Sequence, residues 1–239
     1  LVGVGIVDPV LMIDKLKSPY RKDFEAGFPP HPHRGMQTLT YNVAGRIVHE
    51  DSIGNRGEIR EGCSQWMSAG SGVIHSEMPT QEETTGLHGF QRWFNLPVSL
   101  EMSTTLYRDI TGSELPSGSA NDVSLIAIAG TWSVGEKSLQ GPIHELSPIA
   151  QMADLQFAPD AEHMCEDPAT ADTMAFVFEG SLHANAQDLR SPGLAVFEAG
   201  NSLVSRASKE GAHCLLLTGL PIGEPVVQYG PFVLNIGES

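Results

Sequence analysis

The sequence predicts an all-β protein made of two tandem β-barrels. Three observations carry this. Short runs rich in Val, Ile, Leu, Phe and Thr are separated by turn residues, and the 25 glycines and 16 prolines are spread through the whole chain. Apolar residues at the 3.6-residue spacing of a helix are scarce. One order of strands and glycine turns occurs twice.

In chain order, Leu39–Val43 and Gly45–His49 are the first clear strands. Ser52-Ile53-Gly54-Asn55-Arg56-Gly57 then supplies the Gly and Asn that tight turns need, since both tolerate positive φ. Thr111–Asn121 (TGSELPSGSAN) is small, polar and broken by Pro and Gly. It is expected to link two domains, residues 1–115 and 116–239. Ser147–Asp154 is expected to form one short helix. Strands follow at Thr173–Phe178, Leu194–Phe197 and His213–Thr218, with a turn at Ala199-Gly200-Asn201-Ser202.

The repeat is visible in the glycines. Tyr41-Asn42-Val43-Ala44-Gly45 leads to Gly62 and then to Met67-Ser68-Ala69-Gly70. Phe176-Val177-Phe178-Glu179-Gly180 leads to Gly193 and then to Phe197-Glu198-Ala199-Gly200. The spacings are 17 and 8 residues in the first half, 13 and 7 in the second. A shared order of strand, turn, hairpin and strand is the mark of a duplicated barrel.

Composition bounds the function. The 239 residues suffice for one large or two small domains, and 41% hydrophobic content supports a buried core. No run approaches the roughly 20 apolar residues of a membrane helix, so no membrane partner is expected. The formal charge of −15 repels phosphate backbones and argues against direct nucleic-acid binding. Cys63, Cys165 and Cys214 are an odd, widely spaced set without CxxC. They are expected as free thiols in a reducing compartment, which places the protein in the cytoplasm, or in the nucleus of a eukaryote. The chain begins at Leu1 rather than Met, so its start carries no targeting information.

The residues that carry chemistry come as two pairs, His31-Pro32-His33 and, 44 residues on from His31, His75-Ser76-Glu77. Side chains at i and i+2 of a strand share a face, so each pair aims two ligands at one point. Two such strands inside a barrel supply four. Three imidazoles and a carboxylate with open positions suit one divalent transition metal: Fe(II), Mn, Ni, Cu or Zn. Pro32 donates no ladder hydrogen bond and places its strand at an edge or a start. If the strand runs on from His33, then Gln37, Leu39, Tyr41 and Val43 share the inward face, and Val73 lies inward beside His75 and Glu77.

Counting from the matched glycines, His31 and His33 fall on Glu166 and Pro168, and His75 and Glu77 on Ser205 and Ala207. The second barrel is therefore expected to keep the scaffold and lack the ligands. His49 ends a strand at a hairpin and is expected to be exposed turn chemistry. Cys63 has no basic neighbour and is expected to pack rather than react. His88, His144, His163, His183 and His213 lack paired spacing and are unassigned.

At these residues the sequence closely resembles the pirin family of the cupin superfamily. The matching stretches are Phe28–Gly35 (FPPHPHRG), Gly45–Gly57 (GRIVHEDSIGNRG), Gln65–Pro79 (QWMSAGSGVIHSEMP), Gly89–Pro97 (GFQRWFNLP) and Gly223–Val233 (GEPVVQYGPFV). The resemblance implies a bicupin: two jelly-roll, double-stranded β-helix barrels with metal only in the first. It implies His31, His33, His75 and Glu77 as ligands and iron as the usual ion. Cupins often place a Glu four residues after the second His, and here that position is Gln37, which is expected to face the site without acting as a base.

Members of this family resemble quercetin 2,3-dioxygenases or act as transcription coregulators and partners of metabolic enzymes. The leading expectation is a dioxygenase that opens a flavonol-like ring with O₂. Glu77 would take the proton of a small aromatic substrate. Gln65, Met67, Gln91 and Trp93 would line the mouth, with core packing as the competing role for Met67 and Trp93. The alternative is a binding module whose metal redox state alters a surface for a protein partner. A sugar-phosphate isomerase ranks last, because only Arg34, Arg46 and Arg92 are basic near the site. The oligomeric state is not legible. Imidazoles ligate only when neutral, so metal is expected to leave as pH falls through about 6.5 or below.

Overall fold

A computed structural model describes residues 7–80, 86–144, 146, 150–166, 171–185, 187–198 and 200–235. Period-two burial governs its strands. Val73, His75 and Glu77 are buried while Ile74 between them is exposed. The chain divides into two units, residues 1–114 with 222–239, and residues 115–221.

The first unit contains β1 (Val10–Ser18), β2 (Phe28–His33), β3 (Met36–Ala44), β4 (Ile47–Asp51), β5 (Arg56–Ile59), β6 (Ser64–Ser68), β7 (Val73–Pro79), β8 (Leu87–Asn95) and β9 (Leu106–Ile110). They form two sheets, ordered β1-β8-β3-β6-β9 and β2-β7-β4-β5. The second unit contains β10 (Ser117–Ala120), β11 (Val123–Ala129), β12 (Thr131–Val134), β13 (Lys137–Gln140), β14 (Ala150–Phe157), β15 (Glu162–Glu166), β16 (Asp172–Ala184), β17 (Gln187–Arg190), β18 (Gly193–Phe197) and β19 (Ser202–Gly219). Here β19 pairs with β14, β15 and β16, and β16 also pairs with β17 and β18.

The duplication is real at the level of topology. The orders β1-β8-β3-β6 and β2-β7-β4-β5 recur as β14-β19-β16-β18 and β15-β19-β16-β17. The long β16 and β19 each serve both sheets, where the first unit uses β3 then β4, and β7 then β8. Glycine makes the corner possible. Gly45 and Gly180 both have positive φ, and a Cβ would meet the Gly86 carbonyl at 2.6 Å in one and the Gly211 carbonyl at 2.1 Å in the other.

Three expectations are corrected. Ala150–Asp154 is the start of β14, not a helix, because its residues are buried in the ladder beside β11 and β19; residues 147–149 lie outside the described set. The linker is only partly a linker, since Ser117–Ala120 zips onto β11. The final stretch, expected with the second barrel, packs on the first. Its hairpin, β20 (Val226–Tyr229) and β21 (Phe232–Asn235), is fastened by Val233 N–H to the Arg34 carbonyl at 3.1 Å. Asn235 Nδ2 donates to the Leu96 carbonyl at 2.8 Å, and Val233 enters the core of Leu11, Met36, Met67, Ala69 and Val73. No helix among the described residues is long and apolar enough to cross a membrane.

Candidate metal centre

Strands β2 and β7 are neighbours with His31 opposite His75. The His31 Nε2 lies 3.1 Å from His33 Nε2 and 3.0 Å from His75 Nε2. The same three residues are the group among the described His, Cys, Asp and Glu whose ligand atoms converge, all within 4.8 Å. Each ring has its other nitrogen engaged. His31 Nδ1 is 2.8 Å from the Pro29 carbonyl and His33 Nδ1 is 3.1 Å from the Pro231 carbonyl. A carbonyl only accepts, so both Nδ1 atoms donate and both Nε2 atoms present lone pairs.

His75 is set by a longer chain. Its Nδ1 is 3.3 Å from His49 Nδ1, and His49 Nε2 is 3.6 Å from Asp51 Oδ2. His49 Nε2 makes no hydrogen bond among the described residues, but the charge of the nearby Asp51 carboxylate favours the tautomer with the proton on Nε2, in which His49 Nδ1 accepts from His75 and frees the third Nε2. Asp51 pays for burial with hydrogen bonds from Asn55 and Ile53, which hold its carboxyl below the usual range. Burial, then the neighbouring imidazoles, drives His75 down to about 2. Burial, against the bond to Pro231, drives His33 down to about 4. Neutral lone pairs about 3 Å apart, His31 against His33 and His31 against His75, repel one another unless a cation lies between them. That spacing matches adjacent positions around an ion with metal–nitrogen distances of about 2.1 Å. The donor set fits a divalent transition metal.

Glu77 is fully buried two residues along β7 from His75, and stands outside the imidazole cluster. Its Oε1 accepts from Thr40 Oγ1 at 3.3 Å and its Oε2 from Gln91 Nε2. Burial raises its proton affinity, opposed by those two bonds and by His31. Gln91 Oε1 accepts in turn from Trp93 Nε1 at 3.4 Å. A cavity of about 350 Å³ opens over His31 and His33, walled by Met12, Phe28, Trp93, Gln91 and Pro231. Glu77 faces a second cavity of about 200 Å³, and Phe28 lines both.

The expected pocket residues therefore separate. Gln91 and Trp93 line the cavity. Met67 is core. Gln65 lies deeper, donating to Tyr107 Oη at 2.8 Å and Asp109 Oδ1 at 2.9 Å. Gln37 points the other way. Thr38 pairs with Met67 and Trp93, and Thr40 with Gln65 and Gln91, so the even positions of β3 face the site. The strand does not run on from His33: Gly35, at φ +73°, turns the chain into the other sheet and inverts its phase. One correction follows from burial. His49 is inside, its ring tilted against that of Tyr107 with centroids 4.8 Å apart, rather than exposed in a turn. Ile47, two residues earlier and equally buried, carried the parity that reveals this. The carbonyls of Pro29 and Pro231 left no side-chain signal.

The second barrel also differs from the count. His163 faces Ser205 and Cys165 faces Leu203, as His31 faces His75 and His33 faces Val73. His163 and Cys165, not Glu166 and Pro168, occupy the positions of His31 and His33. The reason is length: Cys165 to Gly180 is 15 residues, His33 to Gly45 is 12. Pro168 lies outside the described residues.

Two jelly-roll barrels, one with a three-histidine centre inside it, define a bicupin. Residues 4–94 match the family model described as Pirin, and residues 152–239 the one described as Pirin C-terminal cupin domain. The chain belongs to the pirin family. A Vibrio cholerae protein named provisionally as a quercetin 2,3-dioxygenase is 41% identical over 228 residues, 95% of this chain and 80% of its own. The Homo sapiens protein named pirin is 33% identical over 239 residues, 98% of this chain and 79% of its own. The crystal structure of a quercetin 2,3-dioxygenase from Acinetobacter baumannii matches with a TM-score of 0.84 at 30% identity, over 96% of this chain and 81% of that one.

Proposed function

We propose that the first barrel is a metal-dependent dioxygenase site for a flavonol-like substrate. The observation that carries this is the convergence of three imidazoles, two of which, His31 and His33, line a largely apolar cavity. His31, His33 and His75 hold one divalent ion, Fe(II) foremost among Fe, Zn, Ni, Mn and Cu, with Glu77 as the acidic group of the centre. Such an ion supplies Lewis-acid and one-electron chemistry toward O₂. The cavity volume falls at the small end of the roughly 300–1,000 Å³ usual for small-molecule sites, which suits a compact aromatic ligand. Phe28 and Trp93 line it with aromatic surface. Gln91 orients Glu77 and limits its swing. Glu77 lines the adjoining cavity and is joined to this one through Gln91, and on this reading it is the acceptor of the substrate's hydroxyl proton once the substrate reaches that junction. The named activities of the Vibrio and Acinetobacter relatives support this reading.

Elemental analysis of wild type beside His31→Ala/His75→Ala is the first test. About one ion per chain is expected in wild type and almost none in the variant. Flavonol mixed with loaded protein and air should then lose its long-wavelength absorbance, and Glu77→Gln should slow the loss while keeping the ion. No uptake after Fe(II) or Ni(II) is supplied, or no absorbance loss above a metal-free control, overturns the proposal.

A further inference from the structure

The second barrel repeats the geometry of the first with softer ligands. Its β15 alternates, with His163 and Cys165 inward and Met164 between them exposed. The pair lies on one face, at the i and i+2 spacing that brings His31 and His33 together. Ser205 stands across the ladder from His163, as His75 stands across from His31.

Two buried polar atoms here lack hydrogen-bond partners among the described residues: His163 Nε2, on a residue 9% exposed, and Ser205 Oγ, on a residue 2% exposed. A buried polar atom without a partner costs about 1–3 kcal/mol, so the two together call for something to satisfy them. Burial lowers the His163 pKa and keeps the ring neutral, as a metal ligand must be.

We propose that His163 and Cys165, with Ser205 across the ladder from His163, form a second metal site that takes a soft monovalent ion, Cu(I) or Ag(I). Ala207 occupies the position of Glu77, so the site offers imidazole, thiolate and hydroxyl and no carboxylate. Thiolate with imidazole selects soft ions, and two or three ligands satisfy a monovalent one. Binding forms a bond from the ion to Cys165 Sγ and one to His163 Nε2. The thiol proton leaves to solvent, and no electron moves. The site belongs to the other structural unit, so it stands or falls independently of the first centre.

The test is anaerobic Cu(I) titration of the full chain against a chromophoric chelator, in the His31→Ala/His75→Ala background that removes the first centre. One Cu(I) per chain is expected. Cys63→Ser should leave it in place, whereas Cys165→Ser or His163→Ala should weaken it at least tenfold. X-ray absorption of the Cu(I)-loaded native second barrel should show sulfur and nitrogen neighbours together, a readout that needs no substitution at the site. Failure to compete with the chelator, binding that survives Cys165→Ser or departs with Cys63→Ser, or a copper environment without sulfur overturns the proposal.

Discussion

His49 decides which nitrogen of His75 faces the centre. An imidazole is a ligand only through a free lone pair, and the Asp51–His49–His75 chain supplies it at Nε2. Removing His49 leaves His75 free to rotate and to exchange tautomers. His49→Ala should therefore lower metal affinity about 10–100-fold while leaving one ion bound at saturation. Competition with a chelator measures this, and unchanged affinity would mean that packing alone orients His75. Tyr107 shares the same layer. Burial, then Asp109, raises its pKa, so it stays protonated and donates to Asp109 Oδ1 at 2.7 Å.

At the scale of the element, the C-terminal hairpin is a strut for the centre. It brings the Pro231 carbonyl to His33, and it is seated against the turn at Gly35. A Cβ on Gly35 would lie 1.9 Å from the Val233 carbonyl, at a φ of +73° that side chains resist. Gly35→Ala should displace β21 and cost about 1–3 kcal/mol. It should also weaken metal binding roughly tenfold through the lost Pro231 bond, although no ligand is touched. Thermal unfolding and a metal titration on the same sample check both. Lost stability with unchanged affinity would reduce the hairpin to a structural clasp.

Across the whole molecule, buried neutral imidazoles make folding depend on pH. Histidine in an unfolded chain titrates near 6.5. In the folded protein His33 is held to about 4 and His75 to about 2. Between those values and 6.5 the unfolded chain binds protons that the folded one refuses. Stability of the metal-free protein is thus full above about 6.5 and declines as pH falls toward 4, by about 3 kcal/mol for His33 alone. Urea midpoints at pH 7, 5.5 and 4.5 should fall in that order, and a flat series would contradict the buried neutral pair. Proton competition for metal at His33 sets in near 4 rather than at the ordinary histidine value.

The sequence by itself determined the strands, the duplication and the convergence of His31, His33 and His75, because these follow from period two and from glycines that only a sheet corner requires. Gly45 and Gly180 were visible as repeated letters before they were visible as corners. The tertiary structure alone decided which face Gln37 shows, which barrel holds the last residues, and that His163 and Cys165 sit where His31 and His33 do. Each of these depends on a turn or a loop length between strands. One added residue inverts every later side chain, and three residues shift a register. Alternation within a strand is local and written in the letters; the phase from one strand to the next is set only when ladders pair and the core closes.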